Sequence, residues 1–354
     1  MMEWLLIILT LLLSLTSLAS VFRRDEWWIR VFDFPRLQLS VLILAALFLS
    51  LWALTFDLWW HYLLLVVLLG NLIFQGIRIY PYTILAPIQV KKLLDEPNDS
   101  AISILVSNVL TPNRSVHLLL KHIEAYDPDI VLTLESDQWW QDQLAVLKDR
   151  YPFQVNVPKD NLYGMHLFSK LELVEHQVLN QVTEDIPSIE AIVKLHSGKK
   201  VKIYCLHPEP PSPTESYTST DRDAEILLTG KKVINQPYPC LVFGDLNDVA
   251  WSKTTRLFQK ISQLLDPRRG RGFFSTFHAK YPLLRWPLDH LFHSADFKLI
   301  QIKRLSGIGS DHFPLYSHLQ LTESLQETPN ADHKEKKQAK AKILKADPIR
   351  KEID

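Results

Sequence analysis

Phe243-Gly244-Asp245-Leu246-Asn247-Asp248 directly follows the apolar residues Cys240-Leu241-Val242, so a buried type of strand runs into a turn rich in carboxylate and amide groups. Gly309-Ser310-Asp311-His312 lies at the other kind of strand end, just before the apolar run Leu315–Leu321. Three further stretches repeat this grammar: Ser107-Asn108 after Ile102–Val106, Glu135 after Ile130–Leu134, and His207 after Val201–Leu206. In all five, polar side chains sit at or just beyond a strand end. There the sheet holds them rigidly while the loops leave room for a substrate.

Around these stretches, strand-length apolar runs alternate with helical spacing. Met165–Phe168, Ala191–Leu195, Leu241–Phe243 and His290–Phe292 read as strands; Val116, Leu119, Leu120 and Ile123 fall on one helical face, and Asp221–Ile234 reads as a helix. Many strands with a few interspersed helices predict a layered α/β domain over residues 101–322, with sheets at the centre and helices outside. Cys205 and Cys240 lie inside strand-like runs and are expected as buried free thiols.

The polar inventory is carboxylates, amides and imidazoles, without a Ser or Cys in a nucleophile motif. Such oxygens suit a hard divalent cation such as Mg²⁺. Cleavage of a phosphate ester needs a cation against the non-bridging oxygens, a base for water and support for the leaving oxygen. This inventory can supply all three. Each residue also has a structural reading: Asn108 as a turn cap, Glu135 as a surface carboxylate, His207 as a shaper of the loop at Pro208, Asp245 and Asn247 as Asx-turn residues, and Asp311 and His312 as caps.

Taken in order, the five stretches resemble the endonuclease/exonuclease/phosphatase superfamily, in its membrane-anchored bacterial type. The resemblance covers about residues 100–321. It implies a four-layer DNase I-like β-sandwich flanked by helices, an inner-membrane location, and Mg²⁺, or Mn²⁺ in its place, as cofactor. It further implies Glu135 as metal ligand, with Asn108 beside it and Asp311 completing the shell. Asp245 would activate water and Asn247 would steady the phosphoryl oxygens. His312 would contact the phosphate with Asp289, from Leu288-Asp289-His290-Leu291-Phe292, behind it; His207 would be a second imidazole on the phosphate. Two departures from the nuclease pattern stand out: Leu110, where nucleases of this fold often carry a carboxylate, and the Pro-rich tract Pro208–Thr220.

The domain carries 24 Lys plus Arg against 24 Asp plus Glu, so it lacks the net basic charge that duplex-DNA binders carry. Residues 253–285 are nevertheless locally basic, with Arg256, Lys260, Arg268, Arg269, Arg271 and Arg285 among them. A nuclease is therefore the first expectation, a phosphoesterase of phospholipids or their headgroups the alternative, and a catalytically silent membrane scaffold the reading from another class. Nothing in the sequence points to a protein partner.

Residues 2–22, 37–56 and 58–77 are apolar runs near the ~20 residues that cross a bilayer core, which predicts a three-span anchor over residues 1–80. Trp27, Trp28, Trp59, Trp60, Tyr80 and Tyr82 lie near their ends, as interfacial aromatics do. Arg23, Arg24, Arg30 and Arg36 in the first loop, with Arg78, Lys91 and Lys92 after the third span, place the catalytic domain on the cytoplasmic side by the positive-inside rule. Residues 81–100 read as a linker and 323–354 as a charged, solvated tail.

Overall fold

The computed structural model describes residues 2–22 and 24–346; Arg23 of the first loop and residues 347–354 of the expected tail lie outside the described residues. Three helices, α1 (Met2–Ala19), α3 (Arg36–Ala53) and α4 (Trp59–Ile79), are long and apolar enough to cross a membrane. They pack through Leu6, Leu13, Leu39, Ile43, Leu64 and Leu68 and leave large apolar side chains such as Leu15, Phe48 and Val66 turned outward. Gln75 ties the bundle together by donating to Ser17 Oγ and accepting from Arg36, each at 2.9 Å. Between α1 and α3 lies a short helix, α2 (Trp27–Arg30).

Two mixed sheets follow. The first has the order β10-β11-β1-β2-β4-β3, from β1 (Ala101–Asn108), β2 (Ile130–Leu134), β3 (Phe153–Val157), β4 (Met165–Ser169), β10 (Phe297–Arg304) and β11 (Leu315–Leu321). The second runs β5-β6-β7-β8-β9, from β5 (Glu172–Leu179), β6 (Ser188–Lys194), β7 (Lys200–Leu206), β8 (Cys240–Asp245) and β9 (Asp289–His293). Strand residues two apart share a face. Ile102, Ile104 and Val106 of β1 therefore meet Val201, Ile203, Cys205, Leu241 and Phe243 of the second sheet in one apolar core.

The opposite faces of the sheets are covered by helices. Leu105 and Val131 pack beneath α5 (Val116–Tyr126) and α6 (Gln138–Leu144), while Tyr204, Val242 and Phe292 pack beneath α7 (Thr220–Ile234) and α8 (Lys253–Ser262). The result is a four-layer sandwich. Both cysteines are free and buried in it.

Each sheet holds one parallel pair, β1–β2 across α5 and β7–β8 across α7, so the ends of four strands point the same way. Antiparallel neighbours complete that edge: Asp289 opens β9 directly opposite Asp245, and Leu315 pairs with Val106, which sets the Ser310–His312 turn over the end of β1.

Two expectations need correction. The segment 81–100 is not a free linker: Val90 enters the inter-sheet core, and the buried Tyr82 hydroxyl donates to Ala250 O at 2.7 Å. Nor is 323–354 wholly solvated. Residues His333–Ala346 form α9, which lays Ala339 and Ile343 into the cluster on α7 and α8. Two of its lysines are paired, Lys342 to Asp223 (2.6 Å) and Asp25 (3.1 Å), and Lys345 to Asp25 (2.6 Å). Two apolar residues four apart on a Lys-rich helix suffice to dock it once acidic partners face the lysines.

Candidate active site

The backbone that presents these side chains is unusual in a way the sequence requires. Gly244 sits at φ +142°, and a Cβ there would lie 2.0 Å from Leu206 O of the adjoining strand. Only glycine allows β7 and β8 to run together up to the Asp245 turn. Gly164 has the same function beside Ser136, where a Cβ would fall 1.9 Å from the carbonyl oxygen. Glu135, Asn247 and Leu110 adopt positive φ (55°, 51° and 61°) without being glycine, a strain of about 1–3 kcal/mol each that is characteristic of functional loops.

Asn108 is the hub. Its amide donates to Glu135 Oε1 at 2.7 Å and to Asp245 Oδ2 at 3.1 Å, while its carbonyl accepts from Leu110 N. His312 Nε2 lies 3.5 Å from Asp245 Oδ2, and its Nδ1 shares a 2.7 Å hydrogen bond with Asp289 Oδ2. His207 Nε2 approaches Asp245 Oδ2 at 3.9 Å, with the Tyr163 ring 5.4 Å from its own. Asn247 caps the turn by donating its backbone N–H to Asp245 Oδ1, but its amide is spent on Pro208 O at 3.0 Å. Asp311 lines the same cleft.

The electrostatics follow from burial and mutual approach. Burial alone would lower the His312 imidazolium, but the carboxylates of Asp289 and Asp245 outweigh it and push its pKa up to about 10. Burial opposes ionisation of Asp245 as well, yet the charges of His312 and His207 and the amide of Asn108 hold it below its ordinary value. His207 goes the other way: its burial dominates and lowers it to about 4, so it is neutral at pH 7. Burial raises Glu135 to about 7 against the hydrogen bond from Asn108, and Glu135 Oε2 is buried without a hydrogen-bond partner.

Asp245, Asp289 and His312 can bring one ligand atom each within 4.8 Å of one another, which is compatible with a divalent cation. The hydrogen bond from Nδ1 to Asp289 and the raised pKa make His312 a proton carrier, with no free lone pair at neutral pH. The better cradle is the Glu135 end. There, Asn108 and Asp311 add oxygens beside a partnerless buried carboxylate oxygen, a donor set that fits a hard divalent ion.

Several contributors were not among the site residues that the sequence suggested. Thr276 Oγ1 accepts from Asp289 N at 3.1 Å and positions that carboxylate. Buried Arg222 joins Asn247 O (2.7 Å) to Asp223 and Asp248, stiffening the turn from behind. Tyr163 donates to Glu215 on the Pro-rich tract. Most unexpectedly, Trp27 and Phe34 of the first loop line the cleft. His290 and His293 are structural, bonded to Asp248 O and Ser294 O. The basic residues of 253–285 are largely engaged internally: Arg268 with Asp266 (2.7 Å), Lys260 with Glu335 (2.6 Å), Arg256 with Ser252 O, Arg271 with Pro267 O and Arg285 with Ala279 O.

A four-layer sandwich with carboxylates, an amide and a His–Asp pair at one shared edge defines a phosphoester hydrolase of the DNase I-like class. Residues 105–312, more than half of the chain, match the model of the Endonuclease/Exonuclease/phosphatase family, and the chain belongs to that family. No curated protein matches it in sequence. Among solved structures, the human Nocturnin catalytic domain with bound sulfate is similar at 17% identity and a TM-score of 0.52, covering 64% of this chain and 97% of that one. D. rerio TDP2 complexed with single-strand DNA product is similar at 17% identity and a TM-score of 0.52, covering 62% and 99%. An endonuclease/exonuclease/phosphatase from Beutenbergia cavernae gives 16% and 0.50, covering 63% and 72%.

Proposed function

We propose that this chain is a membrane-anchored, divalent-metal-dependent phosphodiesterase in which Asp245 activates the attacking water. The observation that carries the reading is the series Asp289–His312–Asp245, a 2.7 Å hydrogen bond followed by a 3.5 Å ion pair, lying beside the partnerless Oε2 of Glu135. Glu135, Asn108 and Asp311 would hold the cation, Mg²⁺ or Mn²⁺, which supplies positive charge against the phosphate when bound. The ionised Asp245 orients water and accepts its proton as the oxygen bonds to phosphorus. The imidazolium of His312, kept charged by Asp289, binds a non-bridging oxygen and offsets its growing charge. As the ester P–O bond breaks, the leaving oxygen takes up a proton from solvent water beside neutral His207, and Asp245 returns the proton it accepted to solvent.

In the same proposal α1, α3 and α4 lie in the bilayer with the catalytic domain on the cytoplasmic face. Arg30 and Arg36 are buried in ion pairs with Asp25 and Asp33, so that side assignment leans on Arg24, Arg78, Lys91 and Lys92. A polynucleotide is the substrate the sequence suggests first. The internal engagement of the basic 253–285 residues favours instead a phosphodiester with fewer charges.

The test is full-length protein incubated with single-stranded DNA, duplex DNA, RNA, phospholipid vesicles and bis(p-nitrophenyl) phosphate, under Mg²⁺, Mn²⁺ or EDTA. Metal-dependent cleavage that disappears in Asp245→Ala and His312→Ala supports the proposal. Cleavage that persists in both variants, or in EDTA, refutes it.

A further inference from the structure

We propose that the segment between α1 and α3 is part of the substrate site, and that the substrate is an amphiphilic phosphoester whose hydrocarbon portion packs against this segment. The inference rests on the phosphoesterase reading and adds the substrate class and a specificity element.

The cleft in front of Glu135, His207, Asp311 and His312 has a volume of about 690 Å³. That is within the ~300–1,000 Å³ typical of pockets enclosing a whole organic ligand, and far more than a phosphate group fills. Its catalytic end is polar. Next to it, with the Phe277 ring 5.0 Å from that of His312, Phe277, Trp286 and Leu288 pack with Phe34 of the first loop in one apolar cluster, and Trp27 and Val31 of the same loop also line the cleft. No Lys or Arg lines the cleft among the described residues, whereas Glu135, Glu215 and Asp311 do. With Glu135 and Asp311 on the cation, such a surface offers the further phosphates of a polyanion no positive partner, and it accepts a single phosphoester joined to hydrocarbon.

The first loop is fixed rather than draped. Trp27 N–H donates to Tyr217 O at 3.0 Å, Ser219 N–H to Asp25 O at 2.7 Å, and the Trp251 indole to Asp33 O at 2.8 Å. Phe34 meets Trp286 edge-on, with ring centroids 5.7 Å apart, which holds the loop against the catalytic domain. Arg30 braces the segment from within through Asp25 and Asp33.

The position of the mouth says where the hydrocarbon comes from. Leu284, 48% exposed, lines the cleft beside Leu283, 83% exposed, and Leu283 O accepts from Gln38 near the start of α3 at 2.8 Å. The apolar mouth is thus attached to the end of a helix of membrane-spanning length, and the segment itself joins two such helices. An amphiphile resident in the bilayer reaches the cleft tail-outward along this path without exposing its chain to water. Trp27, placed by sequence among interfacial aromatics, has this different task.

The experiment uses the full chain in lipid nanodiscs with Mg²⁺ and a series of alkyl p-nitrophenyl phosphates: methyl, butyl and octyl. Water bonds to phosphorus, the P–O bond to p-nitrophenolate breaks, the alkyl phosphate remains, and the water proton passes to buffer. A fully buried methylene is worth about fourfold, so partial burial of the octyl chain raises kcat/KM at least tenfold over methyl. The octyl-to-methyl ratio falls several-fold in Trp27→Ala and in Val31→Asn; Val31 is 48% exposed, so its replacement retains the fold. A ratio near one in the parent, or a ratio unmoved in both variants, overturns the inference and leaves the phosphoesterase reading standing.

A second arm needs no turnover. An octyl phosphate carrying a terminal diazirine labels residues 27–34 saturably, and the matching diazirine alcohol does not. Labelling without hydrolysis of any ester would sink the phosphoesterase reading and keep the subsite; equal labelling by the alcohol would sink the subsite.

Discussion

Replacing Glu135 by Gln separates what the carboxylate does for the fold from what it does for the cation. Burial lifts its pKa from 4.5 to about 7, so the folded protein without metal holds this proton more tightly than the unfolded chain does. By linkage, the stabilising proton is fully present below pH ~4.5 and lost as pH rises toward ~7, above which an ionised carboxylate with one partnerless oxygen weakens the fold. A shift of about 2.5 units corresponds to roughly 3 kcal/mol, and solvent at this partly exposed side chain screens about half of it. Gln keeps the shape and has no charge to bury.

In EDTA at pH 8, Glu135→Gln is therefore expected to melt higher than the parent by about 3–6 °C, from ~2–4 °C per kcal/mol for a domain of this size. At pH 4.5 the two should melt together. Added Mg²⁺ reverses the order at pH 8, because the cation offsets the buried charge only in the parent. Differential scanning fluorimetry of the full chain in detergent, with both pH values and both metal conditions, reads all four numbers. A Gln variant that is less stable than the parent in EDTA at pH 8, or stabilised by Mg²⁺ as much as the parent, would refute the reasoning.

Asp289→Asn removes the carboxylate that keeps His312 protonated, so the alkaline limb of the pH–rate profile, near 10 in the parent, should move down by at least one unit; an unmoved limb would contradict the proton-holding role. Gly244→Ala forces a Cβ to within 2.0 Å of Leu206 O and should destabilise by more than ~3 kcal/mol, visible as loss of soluble expression or a collapsed melting temperature. Ile343→Asp places a charge in the α7–α8–α9 cluster and should cost about 2–4 kcal/mol. Proteolysis that then releases residues 333–354 would show that α9 is docked, and unchanged resistance would show that it is not.

What the sequence displayed follows a physical pattern. Strands whose faces both pack, such as β1, β2, β7 and β8, appear as continuous apolar runs, and their polar termini carry Asn108, Glu135, His207 and Asp245. The strands it hid, β3, β5 and β10, are sheet edges. Glu172–Leu179 is largely exposed, so its side chains mix polar and apolar without a run. Asp289 was legible because it stands before an apolar strand. Thr276, 13 residues earlier in an irregular loop, has no such marker.

The first loop hid its role for another reason. Arg30, Arg36, Asp25 and Asp33 have the composition of a charged loop between spans, and only the fold shows that they are buried and paired with one another. The same holds for α9, where the acidic partners of Lys342 and Lys345 lie more than 100 residues away in the chain.

The most direct test of the central claim is hydrolysis of bis(p-nitrophenyl) phosphate by the full chain in H₂¹⁸O, with mass spectrometry of the phosphate monoester formed. One ¹⁸O per product phosphate, formed with Mg²⁺ or Mn²⁺ and absent with EDTA or in Asp245→Ala, is the predicted result. Product formed equally by Asp245→Ala, or no labelled product from a folded protein that binds the metal, would contradict the account.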